Sequence, residues 1–230
     1  MSSLLLLNGS PRGERSNSMK MLSRVAEGWE YGGGSQPEIL HLARRPQFQR
    51  AVMAFPAVDA VLIGMPLYTD AMPGLVKSFI EALAPRVEAA HSGETNPRLA
   101  FLVQSGFPEA AHSRLLERYL EKLARRLGSP YAGTIVRGAG EALQFMPDEA
   151  NRKLWSRLRT LGEQLARDGR FGPAELKAVA GIERLSPFTA VLASWICKLP
   201  VIQYPWNGNL KKNHAWEQRF AAPYGPAFKG

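Results

Sequence analysis

Leu4-Leu5-Leu6-Leu7-Asn8-Gly9-Ser10-Pro11-Arg12-Gly13-Glu14-Arg15-Ser16-Asn17-Ser18 stands near the start of the chain, and its reading decides the fold. Four apolar residues without polar alternation predict a strand covered on both faces. The spacing Leu22, Val25, Ala26, Trp29 predicts a helix directly after the polar loop. At such a junction the first helical N–H groups have no partner within the helix and the dipole end is positive, which favours an anion. Ser10, Ser16, Asn17 and Ser18 add neutral donors, and Arg12 and Arg15 add charge. The loop contains neither G-x-x-x-x-G-K-[ST] nor G-x-G-x-x-G, which argues against a P-loop nucleotidase and a standard dinucleotide site. Asn, Gly, Ser and Pro are also ordinary turn residues, so the loop alone leaves a plain strand-to-helix turn equally open.

The pattern around it narrows the choice. Short apolar runs at Leu4–Leu7, Glu38–Leu42, Ala57–Ile63, Leu99–Gln104 and Ala132–Val136 read as strands. Helical spacing lies between them: Val76, Phe79, Ile80, Leu83, then Leu116, Tyr119, Leu120, Leu123, Leu127, then Leu154, Leu158, Leu161, Leu165, with a shorter helix over Gln47–Phe55. Gly128 and Gly169 are expected C-caps, and the last of these helices is expected to be entered near Asp148. Strict alternation predicts an α/β fold with a doubly wound, five-stranded parallel sheet in the order 2-1-3-4-5. Such sheets bind ligands beyond the carboxyl ends of the strands at the switch between strands one and three. That rule selects the loops after Leu7, after Ile63 and after Gln104. The second and third carry Tyr68 and Phe107, which suits a flat conjugated ligand with a phosphate tail.

Composition limits the rest. Apolar residues make up 45% of 230, enough for a substantial core. The single cysteine, Cys197, excludes an internal disulfide framework and a cysteine-held metal cluster, fits a cytoplasmic location, and reads as a buried structural thiol. His41, His91, His112 and His214 have no metal-ligand spacing and read as surface or capping residues, so no metal is expected. The formal charge of +9 is scattered and interleaved with Glu, which points away from nucleic acid. The start of the chain lacks the features of a signal peptide. The run from Phe188 to Trp206 is broken by Lys198, Pro200 and Pro205 and is not expected to span a membrane. Residues 1–170 are expected to form the sheet domain. Residues 171–230 form a helical, aromatic extension with a helix starting at Ser186-Pro187 and a tail carrying Tyr204, Trp206, Trp216 and Tyr224, expected to make a subunit contact in a homodimer or higher homo-oligomer.

Asn8-Gly9-Ser10-Pro11-Arg12 with Ser16-Asn17-Ser18 resembles the phosphate loop of the NAD(P)H-dependent FMN reductase family, within the flavodoxin-like flavoproteins. Pro66-Leu67-Tyr68-Thr69-Asp70-Ala71-Met72-Pro73 resembles that family's P-x-Y-x-x-x-M-P flavin loop, and the resemblance covers about residues 3 to 167. It implies a flavodoxin-like fold and bound FMN. Ser10, Arg12, Ser16, Asn17 and Ser18 would cradle the phosphate. Pro66, Leu67, Tyr68, Thr69, Asp70 and Ala71 would run along the isoalloxazine, and Ser105, Gly106 and Phe107 would close its pyrimidine side. Ser18 stands where the family usually has Thr, and Phe107 where a second Gly is common. Beside these roles stand plainer ones: Ser16 as a helix N-cap, Asp70 as a cap of the next helix, Tyr68 as a core aromatic, Met72 as packing.

The resemblance implies hydride transfer from NADPH or NADH through FMN to a small acceptor such as a flavin or quinone, with no side chain assigned as catalytic. A flavodoxin-like electron carrier is the alternative, against which the basic charge counts, since flavodoxins as a class are acidic. A flavin-less binding or regulatory protein on the same fold is the other.

Overall fold

The computed structural model describes residues 1–91, 95–196 and 200–221; Cys197 and Tyr224, singled out above, lie outside them. Five parallel strands, β1 (Leu4–Asn8), β2 (Glu38–His41), β3 (Ala60–Pro66), β4 (Arg98–Gln104) and β5 (Tyr131–Arg137), form one sheet in the order β2-β1-β3-β4-β5. The helices between them are α1 (Asn17–Tyr31), α2 (Arg45–Ala54), α3 (Gly74–Ala82), α4 (Ala84–His91) and α5 (Arg114–Arg126). They are followed by α6 (Arg152–Asp168) and α7 (Pro173–Ala180).

The apolar strands bury both faces, and their period of two sorts the core. Leu4, Leu6, Leu62 and Leu102 face Leu22, Val25, Trp29, Leu158 and Leu161 of α1 and α6. Leu5, Leu7, Ile63 and Phe101 face Ala51, Phe79, Leu116 and Leu120 of α2, α3 and α5. Helices α1 and α6 touch backbone to backbone. A Cβ on Gly28 would lie 1.9 Å from the Arg159 carbonyl oxygen, and one on Gly162 would lie 2.1 Å from that of Val25. This contact fixes α1, and with it the loop at its N-terminus.

Differences from expectation are local. β3 starts at Ala60 because Phe55–Ala57 closes α2 as a 3-10 turn that buries Phe55, and β3 runs on through Pro66. Helix α4 begins with Ala84-Pro85, a proline placement that a first turn tolerates. Before α6, Asp148–Asn151 is a 3-10 turn, so the helix proper starts at Arg152. Gly128 (φ +64°) and Gly169 (φ +67°) end α5 and α6 in the left-handed conformation as expected.

The chain divides into two compact units, Met1–Arg184 and Leu185–Gly230, so the boundary falls later than residue 170. Phe171 and Val179 are buried in the core of the first unit. The Ala110 and Ala111 N–H groups donate to the Ile182 and Glu183 carbonyls at 2.8 and 3.1 Å, and the Arg114 fork pairs with the Glu183 carboxylate at 3.0 and 2.7 Å. The second unit contains α8 (Pro187–Ile196) and α9 (Pro200–Lys212). Ser186 caps α8, its Oγ accepting the Thr189 N–H at 3.1 Å. Phe188, Trp195, Tyr204, Trp206 and Phe220 are exposed. No helix among the described residues is long and apolar enough to cross a membrane.

Candidate functional site: three loops at the carboxyl edge of the sheet

The parallel register brings the ends of β1, β3, β4 and β5 to one edge. Asn8 pairs with His41 and Gly64, Pro66 with Gln104, and Gln104 with Arg137. The three loops selected from sequence emerge there together.

The first loop is organised by Asn8, the last residue of β1, which is fully buried. Its Nδ2 donates to the Gly13 carbonyl at 2.7 Å and lies 3.3 Å from Ser16 Oγ and 3.1 Å from His41 Nδ1. Its Oδ1 accepts the Ser10 N–H at 3.1 Å. Gly9 is required between β1 and α3, since a Cβ there would lie 2.3 Å from Val76 Cγ2. Ser10 Oγ accepts the Arg12 N–H at 3.3 Å, and Ser16 Oγ accepts the Met19 N–H at 3.1 Å as the N-cap of α1. The hydroxyls of Ser10 and Ser16 therefore shape the loop. Asn17 and Ser18 differ. Both are buried, and Asn17 Oδ1 and Ser18 Oγ have no hydrogen-bond partner. Of the two, the Ser18 hydroxyl can donate to an anion at the helix N-terminus, whereas the Asn17 amide oxygen can only accept.

The second loop has two parts. Pro66 and Leu67 are buried, Pro66 closing β3 and Leu67 joining the core, with its N–H donated to the Gln104 carbonyl at 2.8 Å. Their role is to anchor. Tyr68, Thr69, Asp70 and Ala71 are exposed and form a tight turn in which the Tyr68 and Ala71 N–H groups donate to each other's carbonyls at 3.0 and 3.1 Å. Thr69 holds φ +50°, a strained conformation for a β-branched residue. The turn presents Tyr68 outward, so it is not a core aromatic. Asp70 does not cap the following helix: the N-cap of α3 is Pro73, without a side-chain cap bond.

The third loop is held from both sides. Ser105 is buried, its N–H donating to the Arg137 carbonyl at 3.0 Å and its own carbonyl accepting the Gly140 N–H at 2.7 Å. Gly106 is exposed, and the half-exposed Phe107 stacks on His112 with ring centroids 4.3 Å apart. Gln104 Oε1, at the base of the loop, is buried without a partner.

Sequence reading missed four residues of this region. Asn8 reads as part of a turn and His41 as a surface or capping residue, yet His41 is only 6% exposed. Burial, reinforced by the Arg44 guanidinium and opposed by Glu14, pushes its imidazole below the ordinary histidine pKa. Glu141 and Gln144 belong to a 3-10 turn (Gly140–Gln144) after β5 and reach the first loop. Arg12 Nη1 pairs with Glu141 Oε1 at 3.1 Å, and Arg12 Nη2 donates to Gln144 Oε1 at 2.9 Å. Only the Asn8–His41 register could have been sought in the sequence; nothing local marks Glu141.

Two cavities adjoin the second and third loops. One of about 290 Å³ is lined by Asp70, Ala71, Met72, Lys77, Leu115, Leu116 and Tyr119. The other, of about 320 Å³, shares Asp70 and Leu115 and adds Glu109, Ala111, His112 and Arg184. A cavity of about 390 Å³ between Ser2, Asp59, Arg98 and Asp168 lies at the amino ends of the strands, the wrong edge for a ligand in this fold. Among the described residues no group of three or more His, Cys, Asp or Glu could hold a metal ion.

Comparison with known proteins agrees with the fold. The family described as flavodoxin-like fold matches residues 2–165. No curated protein sequence matches the chain. Among solved structures, an FMN-dependent NADH-azoreductase from Bacillus anthracis in complex with FMN is 15% identical, with a TM-score of 0.55 over 72% of this chain and 100% of its own. An NADH:FMN oxidoreductase in apo form is 16% identical, with a TM-score of 0.56 over 82% and 98%. An NADPH-quinone reductase from P. pentosaceus is 17% identical, with a TM-score of 0.52 over 72% and 98%. At these identities the likeness is one of fold.

Proposed function

Because the chain belongs to the flavodoxin-like fold family, we propose that it is an FMN-dependent oxidoreductase that takes electrons from NADPH or NADH and passes them to a small acceptor such as a quinone or flavin. The observation that carries this reading is the Ser18 hydroxyl, a donor buried without a partner in the first turn of α1. The similar structures described as FMN-dependent azoreductase, NADH:FMN oxidoreductase and NADPH-quinone reductase support it.

The donor set fits FMN. Ser18 Oγ, Asn17, the first N–H groups of α1 and Arg12 would hold the phosphate, with Ser10 and Ser16 maintaining the shape of the loop. The exposed turn Tyr68–Ala71 would lie along the ring, anchored by Pro66 and Leu67, and Ser105, Gly106 and Phe107 would border the pyrimidine side. Bound FMN would supply the redox chemistry, accepting hydride from the nicotinamide and delivering electrons to the acceptor. The chain's own residues bind, orient and exclude water, and no side chain is required as an acid. The paired cavities at Asp70 and Leu115 are the proposed place for the acceptor. The exposed aromatic residues of α8 and α9 support a homo-oligomer contact, tested by light scattering after gel filtration. The lone cysteine supports a cytoplasmic location.

The visible spectrum of the purified protein, with FMN and then NAD(P)H added under nitrogen, tests the proposal. A bound flavin that bleaches with NAD(P)H is expected. Bleaching by dithionite alone would make the protein an electron carrier, and absence of flavin binding would remove the enzyme assignment.

A further inference from the structure

The 3-10 turn after β5 doubles back over the sheet edge. Ala139 takes φ +54°, and Gly138 and Gly140 allow contacts a side chain would block: a Cβ on Gly138 would lie 2.6 Å from the Pro108 carbonyl oxygen, and one on Gly140 would lie 2.2 Å from Gln104 Oε1. Leu143 is buried in the core beneath the turn, and its carbonyl accepts from Lys20 Nζ of α1 at 3.5 Å. So pinned, the turn delivers Glu141 to the first loop. Glu141 Oε1 pairs with Arg12 Nη1 at 3.1 Å and also accepts from Gln144 Nε2, while Oε2 lies 3.4 Å from Asn17 Nδ2. An internal carboxylate thus takes the charged arm of the loop and one face of Asn17. Asn17 Oδ1 and Ser18 Oγ stay unpartnered beside it.

We propose that Glu141 is a specificity-determining residue that competes with a ligand phosphate for Arg12 and Asn17 and so restrains the preference of the site for phosphorylated over unphosphorylated flavin. This rests on the flavin reading above. A phosphate entering the loop must draw Arg12 from Glu141 or accept a like charge beside it. The Arg12–Glu141 pair is half-exposed on both sides, so it is weak enough to open. Its effect is a graded discrimination and not a block.

The test compares native protein with E141Q, which keeps the shape of the side chain, removes its charge and leaves it one acceptor oxygen in place of two. E141A serves as the second variant should E141Q fold poorly. Flavin fluorescence titrations at low salt with FMN and with riboflavin give two affinities for each protein. E141Q should bind FMN on the order of tenfold more tightly, the effect of removing one like charge near a partly exposed phosphate. Riboflavin affinity should stay within about twofold, since it lacks the phosphate. The FMN gain should shrink in high salt. Equal shifts for both flavins, or weaker FMN binding by E141Q, would overturn the role of Glu141 while leaving the flavin reading intact. Inorganic phosphate provides a readout independent of flavin. A larger phosphate-induced rise in Tm for E141Q supports the Glu141 role even if neither protein binds flavin, an outcome that would sink the flavin reading alone. No difference between the proteins in that case overturns both.

Discussion

The Nδ2 of Asn8 lies 3.1 Å from Nδ1 of His41, joining the end of β1 to the end of β2 directly beneath the first loop. An amide N–H can donate only to an unprotonated Nδ1, and burial already holds the imidazole below its ordinary pKa. Asn8 also bonds Gly13, Ser16 and Ser10, so this contact supports the whole loop.

The linkage to pH follows. A histidine whose folded pKa is depressed binds fewer protons in the native state than in the unfolded chain. Its contribution to stability is complete above about pH 6.5, the unfolded value, and is lost as pH falls towards the folded one. Urea midpoints measured from pH 8 to pH 5 should therefore decline below about pH 6.5, and His41→Gln should flatten that decline. An unchanged profile in the variant would remove His41 as its origin. Asn8→Ala, which strips partners from several loop groups at once, should cost about 2–3 kcal/mol in the same measurement.

Adjacent serines should separate structural from ligand-binding roles. Ser16→Ala removes an N-cap and should lower stability by about 1 kcal/mol. Ser18→Ala removes a hydroxyl that is buried without a partner, so apo stability should change by less than about 0.5 kcal/mol. Its FMN affinity should fall by about five- to tenfold for one lost hydrogen bond. Thermal melts and flavin titrations on both variants read the contrast. A Ser18→Ala protein that binds FMN normally contradicts the placement of the phosphate.

Thr69 carries strain at the exposed tip of the second loop. Thr69→Gly relieves the left-handed backbone and should raise stability by about 0.5–1 kcal/mol after the added freedom of the unfolded chain is counted. A flavin held by this turn should lose affinity as the turn loosens. Stabilisation with unaltered flavin binding would place the ring elsewhere.

The α1–α6 contact predicts a remote effect. Gly162→Ala pushes a methyl group into the Val25 carbonyl, and overpacking of this kind should cost about 2–3 kcal/mol. Because α1 follows the proposed phosphate loop, FMN affinity should fall in the fraction that remains folded. A well-folded variant with native Tm would refute the close crossing.

Much of this was legible in the chain itself. The continuous apolar runs Leu4–Leu7 and Leu99–Gln104 and the period-3.6 spacing of Leu116–Leu127 and Leu154–Leu165 depend on local backbone geometry, so they determined these strands and helices, and their strict alternation, restricted by the handedness of parallel crossovers, pointed to the order β2-β1-β3-β4-β5. The same rule placed Ser10–Ser18, Tyr68–Ala71 and Ser105–Phe107 at one edge of the sheet. The division of labour within those loops was not legible, because it depends on which donors the fold consumes. Ser16 is spent on a cap and Ser18 is not; Leu67 is spent on the core and Tyr68 is not. Glu141 stands 129 residues from Arg12 and meets it only because a pinned turn folds back over the sheet. Sequence periodicity reports the faces that residues share within an element. Pairings across the sheet edge arise only when separate elements pack, and those were decided by the tertiary structure.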